Sequence, residues 1–298
     1  MTMIEVDLWF ANFTEFDAPT FAARYADWLD DDETRRRDRF VFPRDQVSFA
    51  CSHVVLRHVL SRYEKVAPAA WRFEFNNWGK PRLTADSAPA DSATPAGSLE
   101  FNLSHTRGAA LVGVVRGAEL GVDIEMTERD ASCLELADRY FSPSEVAALH
   151  ALPAEQQRER FFELWTLKEA YIKARGMGLA IPLDQFSYAF PAEYSRHAAV
   201  APTISFTPPL IDTPGDWQFV QRPLTPTFRA AAAVRNSVRR QFGSLGESSA
   251  RATSSKVRTS ASNRGPSDAE RIAPQKRKPS RSRCFARVEL YFGVPRFA

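Results

Sequence analysis

Cysteine, glycine and long apolar runs are all scarce in this chain, which has 298 residues, 3 Cys and 13 Gly. Cys51, Cys133 and Cys284 are far apart and none belongs to a C-x-x-C pair, so the sequence excludes a disulfide framework and a cysteine zinc site. The thiols read as buried or incidental. The longest apolar run, Ala109–Val115, is broken by Gly113 and falls short of the roughly 18 residues a membrane span needs. At the N-terminus, MTMIEVDLWFANF carries Glu5 and Asp7 where a secretory signal needs a basic start and an unbroken apolar stretch, so a cytoplasmic location is expected. A Walker A loop, a G-x-G-x-x-G turn and a G-x-S-x-G elbow are all missing, which removes the commonest nucleotide-binding and hydrolase signatures. The 44% hydrophobic and 25% charged residues are those of an ordinary globular chain.

The net charge of +3 is unevenly spread. Residues 236–298 hold eleven Arg and three Lys against four acidic residues, a net +10, which leaves −7 for residues 1–235. An acidic body argues against a nucleic-acid reader, because affinity for phosphate backbones comes from clustered Lys and Arg. The Ser-, Arg- and Pro-rich segment from 236 to 298 has almost no apolar periodicity, so a disordered basic tail is expected there. It is either a neutral extension or an electrostatic tether for acidic partners.

Ile4, Val6, Leu8 and Phe10 alternate with more polar neighbours, the period-two pattern of a half-buried strand. Helical patterns cover Phe21–Leu29, Asp31–Phe40 and Asp45–Tyr63, and Trp71–Phe75 is a short strand followed by an Asn-Asn-Trp-Gly turn. Thr84–Ser98 reads as a surface loop. Leu99–Leu103, Ala109–Val115 and Leu120–Glu125 look like three strands of a meander. Helices follow over Ser132–Tyr140, Pro143–His150 and Pro153–Arg175, the last ended by Gly176, and then strands over Gln185–Phe190, Trp217–Gln221 and Phe228–Val234. Strands and helices in blocks, without regular β-α-β alternation, predict an α+β fold.

Three motifs carry chemistry. In Gly121-Val122-Asp123-Ile124-Glu125, strand alternation sets Asp123 and Glu125 side by side on one face. Two adjacent carboxylates repel unless a cation sits between them, and a hard, oxygen-seeking metal suits them; a plain solvated face is the alternative. In FFELWTLKEAYIKAR (Phe161–Arg175), Glu169 and Lys173 lie one helical turn apart. Alone they read as a surface ion pair; beside two further carboxylates they fit Mg²⁺-assisted diphosphate chemistry. In FNLSHT (Phe101–Thr106), a strand end gathers a hydroxyl, an imidazole and backbone N–H groups, which suits phosphate binding, a turn with a capping Ser being the alternative.

These segments, in this order, resemble the Sfp-type 4′-phosphopantetheinyl transferases, which convert apo carrier proteins to their holo form. FVFPRD (Phe40–Asp45), NNWGKP (Asn76–Pro81) and FSPSE (Phe141–Glu145) match further motifs, and the likeness covers residues 4–235. The resemblance implies two similar halves related by a pseudo-two-fold axis, residues 1–117 and 118–235, with the active site in the cleft between them and the tail, 236–298, outside. It implies Asp123, Glu125 and Glu169 as Mg²⁺ ligands, with Glu169 also the base. Lys173 would hold the diphosphate, His105 would take part in catalysis, and Ser104, His105, Lys80 and Arg36 would contact coenzyme A. Ser48 and Phe49 stand where many relatives carry a 3′-phosphate contact, and Arg44 or His53 could replace it.

The implied reaction transfers the phosphopantetheine arm of coenzyme A to a serine of an apo acyl or peptidyl carrier protein. The carrier, whether of fatty acid, polyketide or nonribosomal peptide synthesis, is left open. Nucleic-acid and membrane partners are not expected, and a monomer is. Two alternatives remain at this stage: a Mg²⁺-dependent diphosphate hydrolase using the same carboxylates, and a retired enzyme that binds acidic partners through its basic tail.

Overall fold

In the computed structural model, residues 4–87, 99–128, 132–191, 201–236 and 286–292 are described. The expected alternation forms β1 (Ile4–Asn12), where Val6, Leu8 and Phe10 are buried. Three helices follow, α1 (Ala18–Arg24), α2 (Asp31–Asp38) and α3 (Pro43–Leu60), then the hairpin β2 (Phe73–Phe75) and β3 (Pro81–Leu83), then β4 (Leu99–Thr106) and β5 (Ala109–Arg116). The second half of the chain runs through β6 (Ala118–Met126), α4 (Cys133–Tyr140), α5 (Pro143–His150) and α6 (Ala154–Arg175). It continues with the hairpin β7 (Phe186–Ala189) and β8 (Thr203–Phe206), then β9 (Trp217–Pro223) and β10 (Phe228–Asn236). The α+β class is what the structure has.

One sheet contains β1, β5 and β4 in that order, and another contains β6, β10 and β9, all neighbours antiparallel. In both, the first strand pairs with the last, and the last with the one before it. The expected meander is therefore corrected: β4 and β5 pair, but β6 takes its hydrogen bonds from β10. The physical reason is that β5 is apolar on both faces. Ala110, Val112 and Val114 meet the core under α1–α3, whereas Leu111 and Val115 meet a second core with Leu120, Val122, Ile124, Ala232 and Val234. β6 thus lies across β5 as an opposing layer. Gly113 makes room for it, since a Cβ there would stand 2.5 Å from Val122 Cγ1. A third core packs α4–α6 against the outer face of the second sheet.

Two buried ion pairs fix the helices. α2 begins with a capping box in which Asp30 and Glu33 satisfy each other's backbone N–H, and the buried Glu33 accepts from Arg57 of α3. Arg57 also donates to the carbonyls of Pro68 and Trp71, each at 3.0 Å. α5 begins with the same device from Ser142 and Glu145, and Glu145 pairs at 2.7 Å with Lys168 of α6. Lys168 donates to the carbonyls of Leu183 and Phe186, both at 2.7 Å. Each buried charge therefore has its hydrogen-bonding capacity met, the condition under which such groups are tolerated.

Three further differences from the sequence reading concern chain segments. β8, over Thr203–Phe206, is a strand for which the sequence patterns give no expectation. Within the expected loop 84–98, Ala85–Ser87 form one 3₁₀ turn because Ser87 turns inward and bonds Arg72 at both N–H and carbonyl; residues 88–98 lie outside the described residues. The disordered tail is corrected over its end, where β11 (Ala286–Phe292) pairs in parallel with β1, Val288 opposite Val6 and Leu290 opposite Leu8. Its sequence, ARVELYF, has the period-two alternation of β1, which composition averaged over the whole tail conceals. The remainder of 237–298 lies outside the described residues.

Removing one partner of a buried pair leaves an uncompensated charge, so Lys168→Met is expected to lower unfolding stability by about 3–5 kcal/mol in urea titrations. A loss under about 1 kcal/mol would contradict the packing described. A second expectation concerns acid. Burial works against the Glu33 charge, but His53 and Arg57 outweigh it and hold the carboxyl at about 2. Because that lies below the unfolded value of 4.5, the contribution is complete above 4.5 and is lost as pH falls from there towards 2. Urea unfolding at pH 6 and pH 3 should show a decrease in the parent protein that is smaller in Glu33→Gln; equal decreases would contradict it.

Candidate active site

The site forms where β4, β6 and α6 converge. β6 can lie on α6 only because residue 121 is glycine: a Cβ there would stand 2.1 Å from the Ala170 carbonyl oxygen and 2.3 Å from the Ala174 nitrogen. With Val122 and Ile124 turned into the core between the sheets, alternation turns Asp123 and Glu125 the other way, as the sequence predicts. Asp123 is buried at 3% exposure and Glu125 is half-buried.

β4 reaches β6 through side chains. Asn102 Oδ1 accepts the Val122 N–H at 2.8 Å and Ser104 Oγ accepts the Ile124 N–H at 3.3 Å. Thr106 Oγ1 stands 3.5 Å from Glu125 Oε2. Asn102, Ser104 and Thr106 alternate along β4, so one polar face of FNLSHT forms a ladder to the second sheet. Sequence reasoning missed Asn102 and Thr106 as members of the site, although the period-two spacing was available.

Lys173 projects from α6 into this junction. Its ammonium is 2.6 Å from Asp123 Oδ1 and donates to Ser104 Oγ at 2.9 Å, and Ser104 donates to the same Oδ1 at 2.9 Å. Burial opposes the Lys173 charge, yet Asp123, Glu169 and Glu125 outweigh it and raise the pKa above the usual lysine value. The lysine is therefore cationic at neutral pH, and three carboxylates bear on it. Asp123 Oδ2, in contrast, is buried with no hydrogen-bond partner among the described residues.

His105 points to the other side of β4 from Ser104. It is exposed at one side and closely walled elsewhere; that enclosure first, then the charges of His53, Lys173 and Arg36, lower its pKa to about 4. Its open side lets solvent moderate the effect, but the direction leaves a neutral imidazole at pH 7. Arg36 is exposed and lies over the rings of Phe49 and Phe75, each at 5.6 Å. Phe49 stacks on His53 at 4.1 Å, and His53 bonds Glu33 at 2.7 Å. Arg44 sits over Phe42 at 5.1 Å, within an exposed stretch.

Lys80 and Ser104, which the resemblance implies as coenzyme A contacts, have these partners within the protein. Lys80 donates to the carbonyls of Leu120 at 3.1 Å and Ala174 at 2.9 Å, so its ammonium ties the β2–β3 hairpin to β6 and to the end of α6. Burial lowers its pKa, with Glu100 and Glu119 acting in the opposite sense. Asn76 donates to the Gly176 carbonyl at 2.7 Å, so NNWGKP works as a clamp on the helix terminus. Ser104 is 4% exposed and faces Asp123 and Lys173, away from His105.

Among the described residues, no three His, Cys, Asp or Glu side chains are gathered closely enough to hold a metal ion by themselves. The donors nevertheless suit Mg²⁺, which is commonly bound by one or two carboxylates together with substrate phosphate oxygens, and Asp123 Oδ2 is a buried oxygen lacking a partner. No helix among the described residues is long and apolar enough to cross a membrane.

Residues 119–233 match the family described as the 4′-phosphopantetheinyl transferase superfamily, and residues 19–115 match 4′-phosphopantetheinyl transferase, N-terminal. The chain is 38% identical over 152 residues to 4′-phosphopantetheinyl transferase HetI of a Nostoc species, covering 51% of this chain and 61% of that one. It is 31% identical over 164 residues to 4′-phosphopantetheinyl transferase Sfp of Bacillus subtilis, covering 55% and 67%. A solved holo-(acyl-carrier-protein) synthase of Bacillus anthracis is 19% identical with a TM-score of 0.32, over 40% of this chain and 96% of that one. The matched region thus spans about three fifths of the length of HetI, at 61%, and of a Synechocystis relative, at 62%. With two successive family segments matched and 67% of Sfp covered at 31% identity, the chain belongs to the 4′-phosphopantetheinyl transferase superfamily.

Proposed function

We propose that the protein transfers the 4′-phosphopantetheine arm of coenzyme A to a serine of an apo acyl or peptidyl carrier protein. The observation that carries this reading is the junction of a cationic Lys173, the partnerless Oδ2 of Asp123 and the flanking Glu125 and Glu169, within a chain of this family. In the reaction the carrier serine oxygen forms a bond to the β-phosphorus of coenzyme A. The bond from that phosphorus to the bridging oxygen breaks, and adenosine 3′,5′-bisphosphate leaves. Glu169 accepts the serine proton. Lys173, held charged by its three carboxylates, binds the diphosphate and offsets charge on the departing side. His105 and Arg36 face the nucleotide portion, the first as a neutral hydrogen-bonding group and the second as a fixed charge beside Phe75.

Asp123, Glu125 and Glu169 would hold Mg²⁺ together with the diphosphate; when bound it supplies neutralisation of the phosphate oxygens. The same proposal divides the chain into halves, 1–117 and 118–235, related by a pseudo-two-fold axis with the cleft between them. The repeated strand order of the two sheets and the gap between the two matched segments support that division. A monomer in the cytoplasm is part of the proposal, since one chain already carries both halves.

Intact mass of an apo carrier protein after incubation with this protein, coenzyme A and Mg²⁺ tests the reading. A gain of about 340 Da, absent with EDTA, is expected. Coenzyme A cleavage without any carrier modification would overturn transfer in favour of hydrolysis. Glu169→Gln should lower turnover by roughly 10²–10⁴-fold, and undiminished turnover at saturating Mg²⁺ would remove its role as base.

A further inference from the structure

We propose that Asn102 and Gly113, paired across β4 and β5, form a seat for Val122 that registers the second sheet on the first, and that Asn102 is thereby a positioning residue for Asp123 and Lys173. The roles of Asp123 and Lys173 rest on the reading above. β6 is an edge strand, with β10 its only sheet neighbour among the described residues, so N–H groups on its other side need acceptors from elsewhere. Asn102 supplies one. Its Oδ1 accepts the Val122 N–H at 2.8 Å, and Asn102 is itself 4% exposed. The side chain of the same valine lies against Gly113, where an added Cβ would stand 2.5 Å from Cγ1. One residue of β6 is thus held through its backbone by β4 and through its side chain by β5, and a β-branched side chain has little rotamer freedom with which to adjust.

The residues that the site takes from β6 flank this seat. Gly121, just before it, packs against α6 at Ala170 and Ala174, and Asp123, just after it, pairs with Lys173 at 2.6 Å. Sliding of β6 along β4 would drive the Val122 side chain into the neighbours of Gly113 and carry Asp123 and Lys173 away from β4, where Ser104 bonds to both. No strand ladder joins β4 to β6, so side-chain bonds and this packing set the alignment of the two sheets at the site. Outer groups that orient metal-binding side chains commonly change metal affinity by roughly 10–100-fold when removed.

Two measurements on the full chain test the proposal. Amide hydrogen exchange, resolved by NMR, reports the seat; free Mn²⁺, read by electron paramagnetic resonance with coenzyme A present, reports the site. Asn102→Ala is expected to speed exchange at Val122 roughly 10-fold more than at the amides joining β9 to β10, and to weaken Mn²⁺ by roughly 10-fold. Gly113→Ala should weaken Mn²⁺ with Asn102 intact, and adding Val122→Ala, which removes Cγ1, should recover it. That pair of variants carries the test should Asn102→Ala unfold. Unchanged exchange at Val122 would overturn the seat. Faster exchange with Mn²⁺ affinity intact would overturn the positioning role, as would Gly113→Ala binding Mn²⁺ like the parent. Failure of the parent protein to bind Mn²⁺ with coenzyme A present would overturn the reading of Asp123 itself, a result told apart by an exchange effect at Val122 that persists.

Discussion

The contact between Lys173 and Asp123 joins an element of each structural layer that matters to function. Asp123 belongs to the second sheet, Lys173 to the helix laid across it, and Ser104, bonded to both, to the first sheet. A half-open ammonium beside a buried carboxylate has its charge met only while these three elements keep their spacing. Much of the fold sets that spacing. Gly121 brings the second sheet onto the helix, Gly113 brings the first sheet onto the second, and Lys80 ties a hairpin to both β6 and the end of α6.

The buried cations divide into two kinds by what surrounds them. Arg57 has two carboxylates, Asp30 and Glu33, and two carbonyls, Lys168 has one carboxylate and two carbonyls, and both cations are fully buried. Such groups hold helices in place and have no capacity left for a ligand. Lys173 keeps 29% of its side chain exposed, and Asp123, Glu169 and Glu125 together raise its pKa. Beside it, Asp123 Oδ2 lacks a hydrogen-bond partner among the described residues, and the proposed function assigns that oxygen to a cation. On α6, Lys168 and Lys173 stand five positions apart, the first fully buried and the second 29% exposed.

Local periodicity made much of the fold legible. β1, α2, α3, α5 and α6 stand close to where alternation, capping residues and Gly176 place them. What was not legible was long-range pairing. Nothing in the pentapeptide from Gly121 to Glu125 says that Asp123 lies opposite Ala231 in the sheet, or that Leu120 closes on β5 instead of hydrogen-bonding to it. β11 was hidden because the composition of the surrounding tail outweighed seven alternating residues. Within the site, the shared face of Asp123 and Glu125 and the one-turn spacing of Glu169 and Lys173 on α6 were readable. The divergence of Ser104 from His105 follows from the same alternation, whereas their shared role as coenzyme A contacts is what the resemblance implies. The partners of Lys80, 40 and 94 residues away, carry no local signature.

The central claim is that a divalent cation and a diphosphate meet at the Asp123–Lys173 junction. Crystals grown with coenzyme A and Mn²⁺ test it most directly, because anomalous scattering locates the ion independently of the protein phases. The account expects one strong peak at about 2.0–2.4 Å from Asp123 Oδ2 and from diphosphate oxygens, with Lys173 turned from Asp123 towards the phosphate. A peak elsewhere, or a diphosphate bound with Lys173 still seated on Asp123 and no ion beside it, would contradict it.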